Sequence, residues 1–251
     1  MNSGIPILEV NRITKSFGAV RAADDLSLRL IPGECHALIG PNGAGKTSLI
    51  AQISGVLSPD SGNISFLGHD ITSWPIWRRS QAGIARSFQI ASIFPEFTVS
   101  ENVALSIQAH NGHSFRFFKN VQYEDRLAAL AHSILCQTGL EIKENMRAVN
   151  LSHGEQRQLE LAMTLAGLPS LLLLDEPMAG MGAMDSQRVI ALLRKLKGRV
   201  SILLVEHDMD AVFALADRIT VMVYGKIIAS GTPQEIKNNP DVRAAYLGQA
   251  V

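Results

Sequence analysis

Residues 37–50 read ALIGPNGAGKTSLI. An apolar run ends in a loop with three glycines, then a lysine, a threonine and a second apolar run. Gly40, Gly45, Lys46 and Thr47 fit the G-x-x-x-x-G-K-[ST] spacing of a phosphate-binding loop. Glycines let the backbone curl so that several N–H groups face one anion. A helix starting near Lys46 adds its positive end. In this reading Lys46 reaches the β- and γ-phosphates of a nucleotide and the Thr47 hydroxyl ligates Mg²⁺. The plainer alternative is a Gly-rich turn with a solvated lysine. The strand-like run before the loop and the helical spacing after it favour the phosphate site. The nucleotide-binding set expected here is Asn42, Gly43, Gly45, Lys46, Thr47 and Ser48.

The chain has 251 residues, enough for one large domain or a domain with a subdomain, and is 47% hydrophobic. Its 23 Lys and Arg balance 23 Asp and Glu, which argues against a broad nucleic-acid surface. Cys35 and Cys136 lack metal or C-x-x-C spacing, so a reducing compartment and two small core side chains are expected. The N-terminal stretch MNSGIPILEV has no signal-peptide pattern. The longest apolar stretch, LAMTLAGLPSLLLL, is broken by Gly167 and Pro169 and is too short to span a bilayer. These features predict a cytoplasmic protein that needs a partner for any work at a membrane.

Along the chain, ILEVNRITKSF and LSLRLI alternate in polarity and are split by a polar turn, which predicts an antiparallel pair. CHALIG is a short apolar strand entering the loop, and TSLIAQISGVL has helical spacing. From about Trp74 to Leu165 the pattern is helical, with EDRLAALAHSILCQTGL and GEQRQLELAMTLAGL as its clearest stretches. Strands return before Asp175, at SILLVEH and at RITVMVYGKIIASG. The predicted fold is an α/β core with an N-terminal antiparallel β part and an inserted helical subdomain.

Three apolar strands end at polar residues: CHALIG at the loop, SLLLLDEP at Asp175 and Glu176, and SILLVEHD at Glu206, His207 and Asp208. Ligands of an open parallel sheet sit beyond the carboxyl ends of its strands. If the three strands are neighbours, these groups meet at one point. Asp175 then holds Mg²⁺ directly or through water, and Glu176 polarises the attacking water as general base. His207 either contacts the γ-phosphate and orients that water, or is a satisfied structural histidine. Ser152 in LSHGEQ is a good N-cap with Glu155 at the capping-box position. That run is a well-capped helix, and the same helix end with its serine hydroxyl suits a phosphate.

GPNGAGKT, LSHGEQRQ, LLLLDEP and VEHD, in this order, resemble the ATP-binding subunit of an ABC transporter, whose fold is a P-loop NTPase core with the two additions described above. The resemblance spans nearly the whole chain. It implies a single domain, with residues 1–87 and 161–234 as nucleotide-binding core, 88–160 as helical subdomain and 235–251 as a short tail. It implies that LSHGEQ is the signature, usually L-S-G-G-Q, with Leu151, Ser152, Gly154 and Gln156 fitting and His153 and Glu155 departing. It places Gln89 as the Q-loop residue that senses Mg²⁺ and the membrane partner, and Phe17 where an aromatic stacks on adenine; from the residues alone Phe17 is equally a core side chain. After DEP the family usually has S-A-L-D, and Gly182 stands at its aspartate position.

More narrowly, GIARSFQ, FTVSENV, VEHDMDAVFALADRITV and NNPDVRAAYLG resemble the ATPases of branched-chain amino-acid importers, a subfamily shared with urea and short-chain amide importers. The resemblance implies a second ATPase subunit, transmembrane permeases, an indirectly linked substrate-binding protein, no nucleic acid, and a position on the inner face of the membrane. Lipid-extracting, exporting and non-transport ABC ATPases are the alternatives. In QIASIFPEFTV, residues 89–99, Phe94 and Phe97 flank Pro95 without a regular period. They are either core rings of the helical part or a groove for a permease helix.

Overall fold

The computed structural model describes residues 5–87, 93–110 and 121–245. In chain order its elements are β1 (Leu8–Phe17), β2 (Val20–Leu30), β3 (Cys35–Ile39), α1 (Lys46–Ser54), β4 (Ser61–Phe66), β5 (His69–Asp70), α2 (Ile76–Gln81) and β6 (Ile84–Arg86). Then come α3 (Val99–His110), α4 (Val121–Thr138), α5 (His153–Leu165), β7 (Leu171–Asp175), α6 (Ala183–Leu196), β8 (Ser201–Val205), α7 (Met209–Leu215), β9 (Arg218–Val223), β10 (Lys226–Gly231), α8 (Pro233–Asn238) and α9 (Pro240–Ala245). Two compact units result: Met1–Ile84 with Ser170–Glu176 and Leu196–Val251, and Ala85–Pro169 with Pro177–Lys195. The helical unit therefore takes in 161–169 and most of α6, beyond the 88–160 expected from the sequence.

In the first unit one sheet runs β2-β1-β4-β5, antiparallel throughout. The other runs β10-β9-β3-β8-β7-β6, with β9, β3, β8 and β7 mutually parallel and β10 antiparallel to β9. All five residues of β3, β7 and β8 are buried, as strands covered on both faces must be. Alternate side chains serve opposite cores. Leu38, Leu171, Leu173, Leu203 and Val205 join Leu49, Ile50 and Ile53 of α1 and the inner residues of the antiparallel sheet. Ala37, Ile39, Ile219 and Val221 join Val212, Ile236 and Val242 from α7, α8 and α9.

Two sequence expectations are corrected. β2 begins at Val20, so only Gly18 and Ala19 separate it from β1. The polar residues read as a long turn lie in the strand, where Asp24 is paired with Arg21 at 2.8 Å and Lys226 at 3.2 Å. Cys35 is buried, which pushes its thiol up to about 12, but Cys136 is exposed on α4 and is no core residue. Its helix presents it to solvent because Ala131, Ile134 and Leu135 supply the buried face.

The helix that follows the phosphate loop is anchored at its far end by Arg79, whose exposure is 2%. Its guanidinium donates to the carbonyls of Gln52 at 2.7 Å, Ile53 at 2.8 Å, Thr72 at 2.9 Å and Trp74 at 3.0 Å. The first two are carbonyls of the last turn of α1, which a cation complements. Gly55 ends the helix at φ 87°, and a Cβ there would lie 2.9 Å from Arg79 Nε. Arg79→Leu removes the guanidinium from all four carbonyls; that of Gln52 keeps the Gly55 N–H at 3.3 Å, and each of the others left unsatisfied costs about 1–3 kcal/mol. A loss of at least about 3 kcal/mol in urea unfolding is expected, with Arg79→Lys intermediate because its donors spring from one atom.

Candidate functional site

The first unit brings the three strand ends together, because β8 pairs with β3 on one side and β7 on the other. Leu38 of β3 and Asp175 of β7 both stand in register with Val205. The loop after β3 is shaped by its glycines. A Cβ on Gly40 would lie 1.9 Å from the Met222 carbonyl and one on Gly45 2.0 Å from the Ala22 carbonyl, so neither position tolerates a side chain. Gly45 caps α1 at φ 101°, and Gly43 sits at φ 78° with open space around it. No acidic residue lies in the first turn of α1, so the N–H groups there are available to an anion.

Lys46, at the start of α1, is buried. Its Nζ donates to the carbonyls of Gly40 at 2.8 Å and Pro41 at 3.0 Å. Burial lowers its pKa, while the carboxylates of Glu176 and Asp175 pull it back up. Thr47, Asn42 and Gly43 are exposed, and Ser48 is half-buried. Asp175 closes β7 at 4% exposure. Glu176 takes φ 51°, rare for a residue with a side chain, and its N–H donates to the Val205 carbonyl at 2.9 Å. Strain of this kind concentrates at functional positions. His207 Nε2 lies 2.6 Å from Glu176 Oε1, so the third strand end directly contacts the second. A glycine-shaped turn, an ammonium, two carboxylates and an imidazole thus gather at the carboxyl ends of β3, β7 and β8.

Phe17 ends β1 at 48% exposure, with Lys15 Nζ 5.7 Å from its ring centre, so it is no core residue. Gln89 lies outside the described residues.

In the second unit Ser152 caps α5 by accepting from the Glu155 N–H, and the Glu155 carboxylate accepts from the Ser152 N–H. Burial pushes the Glu155 carboxyl up, but Lys143 at 2.5 Å and the Ser152 cap together hold it below its ordinary value. The two residues that depart from the usual signature therefore have local roles or solvent exposure: Glu155 completes the cap and His153 is exposed. Gln156 turns its amide back to the Leu151 carbonyl at 3.3 Å. Gly154 is buried, and a Cβ on it would lie 2.4 Å from the Asp185 carboxylate in the first turn of α6. Asp185 was not legible as part of this site, because an acidic residue opening a helix is common and only the fold brings it to Gly154. At Gly182 there is open space.

A protein-family model described as "ABC transporter" matches residues 23–179, and one described as "Branched-chain amino acid ATP-binding cassette transporter" matches residues 226–251. The chain belongs to the ABC transporter ATP-binding family, and it is an ATP-binding and ATP-hydrolysing cassette. Within that family it is 37% identical to LivG of Escherichia coli (strain K12), a high-affinity branched-chain amino acid transport ATP-binding protein, over 98% of this chain and 99% of LivG. It is 36% identical, with the same coverage, to BraF of Pseudomonas aeruginosa, described in the same words. Among solved structures it resembles the ADP conformation of the ABC cassette MJ1267, with TM-score 0.84, 29% identity and coverage of 97% and 99%. Among the described residues no helix is long and apolar enough to cross a membrane.

The contact between Gly154 and Asp185 is directly testable. Gly154→Ala should destabilise the protein, and Asp185→Ala should relieve part of that loss. A double-mutant cycle by urea unfolding should give a coupling of roughly 0.5–3 kcal/mol; additive losses would mean that the carboxylate simply moves aside.

Proposed function

We propose that this chain powers an importer of branched-chain or chemically similar amino acids. The observation that carries this reading is the similarity to LivG and BraF along nearly the full length of both partners, including the C-terminal match over residues 226–251. The balanced charge of the chain disfavours nucleic acid as a partner.

Lys46 and the N–H groups of the loop take the β- and γ-phosphates of ATP, and Phe17, exposed beside the lysine of β1, stacks on the adenine. Asn42, Gly43, Gly45, Thr47 and Ser48 complete the cradle. The Thr47 hydroxyl and the Asp175 carboxylate are hard oxygen donors beside the ammonium that the phosphates would meet, a set that suits Mg²⁺. Gln89 is the third residue proposed for that ion, which supplies neutralisation of phosphate charge when bound. Glu176 is the general base: it accepts a proton from water as the water oxygen bonds to the γ-phosphorus and the bond to the leaving ADP oxygen breaks. With the proton on Nε2, His207 donates to Glu176 and holds its carboxylate in place.

Two subunits enclose two nucleotides, with Ser152, Gly154 and Gln156 of one facing the phosphates on the other. Closure of that sandwich drives the permeases, and hydrolysis reopens it. The protein works at the inner face of the membrane, held there by permeases that receive substrate from a binding protein. Phe94 and Phe97 supply the docking point. Their rings are 50% and 41% exposed and stack at 5.5 Å. The loop beneath them is firm: buried Asn102 bonds both the N–H and the carbonyl of Phe94, at 2.7 and 3.0 Å. Ala148 and Val149 donate to the carbonyls of Phe97 and Pro95. That second strip leads within three residues to Leu151 and Ser152, so a push on the rings has a short route to the signature.

Glu176→Gln should bind ATP near normally but turn over about 10²–10⁴-fold more slowly; near-normal hydrolysis in a phosphate-release assay would exclude Glu176 as the base. Phe94→Ala and Phe97→Ala should each weaken capture of the permeases, by over about 2 kcal/mol where the ring is a buried anchor of the complex. ATP affinity of the isolated subunit should stay unchanged. Undiminished capture in both variants would move the docking site elsewhere.

A further inference from the structure

The hairpin that joins β9 to β10 turns through Tyr224 and Gly225 alone, since Val223 and Lys226 are cross-strand partners. Both turn residues take positive φ, 47° and 78°, as a type I′ turn requires. Glycine suits such a position and a bulky side chain does not, yet Tyr224 stands there, 84% exposed. Backbone strain of this kind points to a role. The turn is tied on both sides. The Gly225 carbonyl accepts from the Asp24 N–H of β2 at 2.9 Å, and the Gly225 N–H donates to the Ala44 carbonyl, in the loop before α1, at 3.0 Å. A Cβ on Gly225 would lie 2.8 Å from the Arg21 carbonyl, so the turn sits this close to β2 only as glycine.

The bond to Ala44 acts on the other side of the same peptide unit. The Ala44–Gly45 peptide is trans, and across a planar trans peptide the C=O and the N–H point in opposite directions. Holding the Ala44 carbonyl toward Gly225 therefore turns the Gly45 N–H away from the hairpin. Ala44 is 1% exposed, so its carbonyl depends on that donor. The Gly45 carbonyl is taken by the Leu49 N–H at 2.9 Å, whereas the Gly45 N–H donates to none of the described residues. The hairpin meets this loop a second time, where the Met222 carbonyl of β9 leaves no room for a Cβ on Gly40.

We propose, on the reading of this loop as the ATP site, that Gly225 is a positioning residue for the nucleotide. Its N–H holds the Ala44 carbonyl and thereby aims the Gly45 N–H at the phosphates. Tyr224 contributes the shape of the turn and not its ring.

The test uses the full chain with the Gly225 amide replaced by an ester through semisynthesis, which deletes the N–H and adds no side chain. The probes are Mg-ATP, titrated by calorimetry, and Mg-tripolyphosphate, followed at the Gly45 amide by NMR. Tripolyphosphate should shift the Gly45 amide of the native chain saturably, and less in the ester. The ester should bind Mg-ATP about three- to tenfold more weakly, the effect of one neutral hydrogen bond, with KM rising more than kcat falls. A bond that only steadied the fold would lower the urea midpoint and leave KM unmoved. Tyr224→Asn, whose side chain tolerates positive φ, is the second variant and should bind Mg-ATP as the native chain does. Undiminished affinity in the ester, an equal loss in Tyr224→Asn, or a native Gly45 amide that does not respond would overturn the proposal while leaving the ATP site in place. Absence of Mg-ATP binding by the native chain would overturn both.

Discussion

A buried ammonium governs this structure. Lys46 is taken out of water at the start of α1, and that cost is offset by two loop carbonyls that accept from it and by the charges of Glu176 and Asp175 at the end of β7. Those carboxylates arrive from β7, a strand separated from β3 by more than 130 residues of chain. The position of one side chain thus depends on the β3-β8-β7 order, and that order depends on strands apolar enough to be covered on both faces. The loop itself is fixed by contact, since Gly40 and Gly45 lie against the Met222 and Ala22 carbonyls with no room for a Cβ.

The same economy of position links these strand ends to their surroundings. Glu176 sits in a backbone conformation that costs energy and is held there by the Val205 carbonyl and the His207 ring. Behind the loop, Arg79 ties the last turn of α1 to the chain before α2 through four carbonyls. The helix whose N–H groups are proposed to meet phosphate is therefore pinned at both ends, with a glycine where each pin is tightest.

Much of this was legible in the residues. The glycine spacing marked a tight loop before α1, because only glycine fits against the Met222 and Ala22 carbonyls there. The apolar runs ending in Asp175, Glu176 and His207 marked the sheet edge, because the end of a buried strand is where polar groups can first reach a ligand. Ser152 and Glu155 announced their cap by spacing alone. What was not legible depends on contacts between distant segments. Nothing local to Asp185 points to Gly154. The start of β2 was misplaced because its aspartates look like a turn until Arg21 and Lys226 are seen to pair Asp24. Cys136 was misplaced because helical phase, not residue type, decides which side of α4 faces water.

The most direct test of the central claim is calorimetric titration of the chain with Mg-ATP before and after Lys46→Ala. The account predicts saturable binding by the native chain and a loss of at least about 10²-fold in the variant, since the triphosphate would lose a charged hydrogen-bond donor worth about 1.5–3 kcal/mol per bond. An unchanged affinity in a variant that remains folded would contradict it, because the loop would then hold the nucleotide without the charge around which the sheet edge is built.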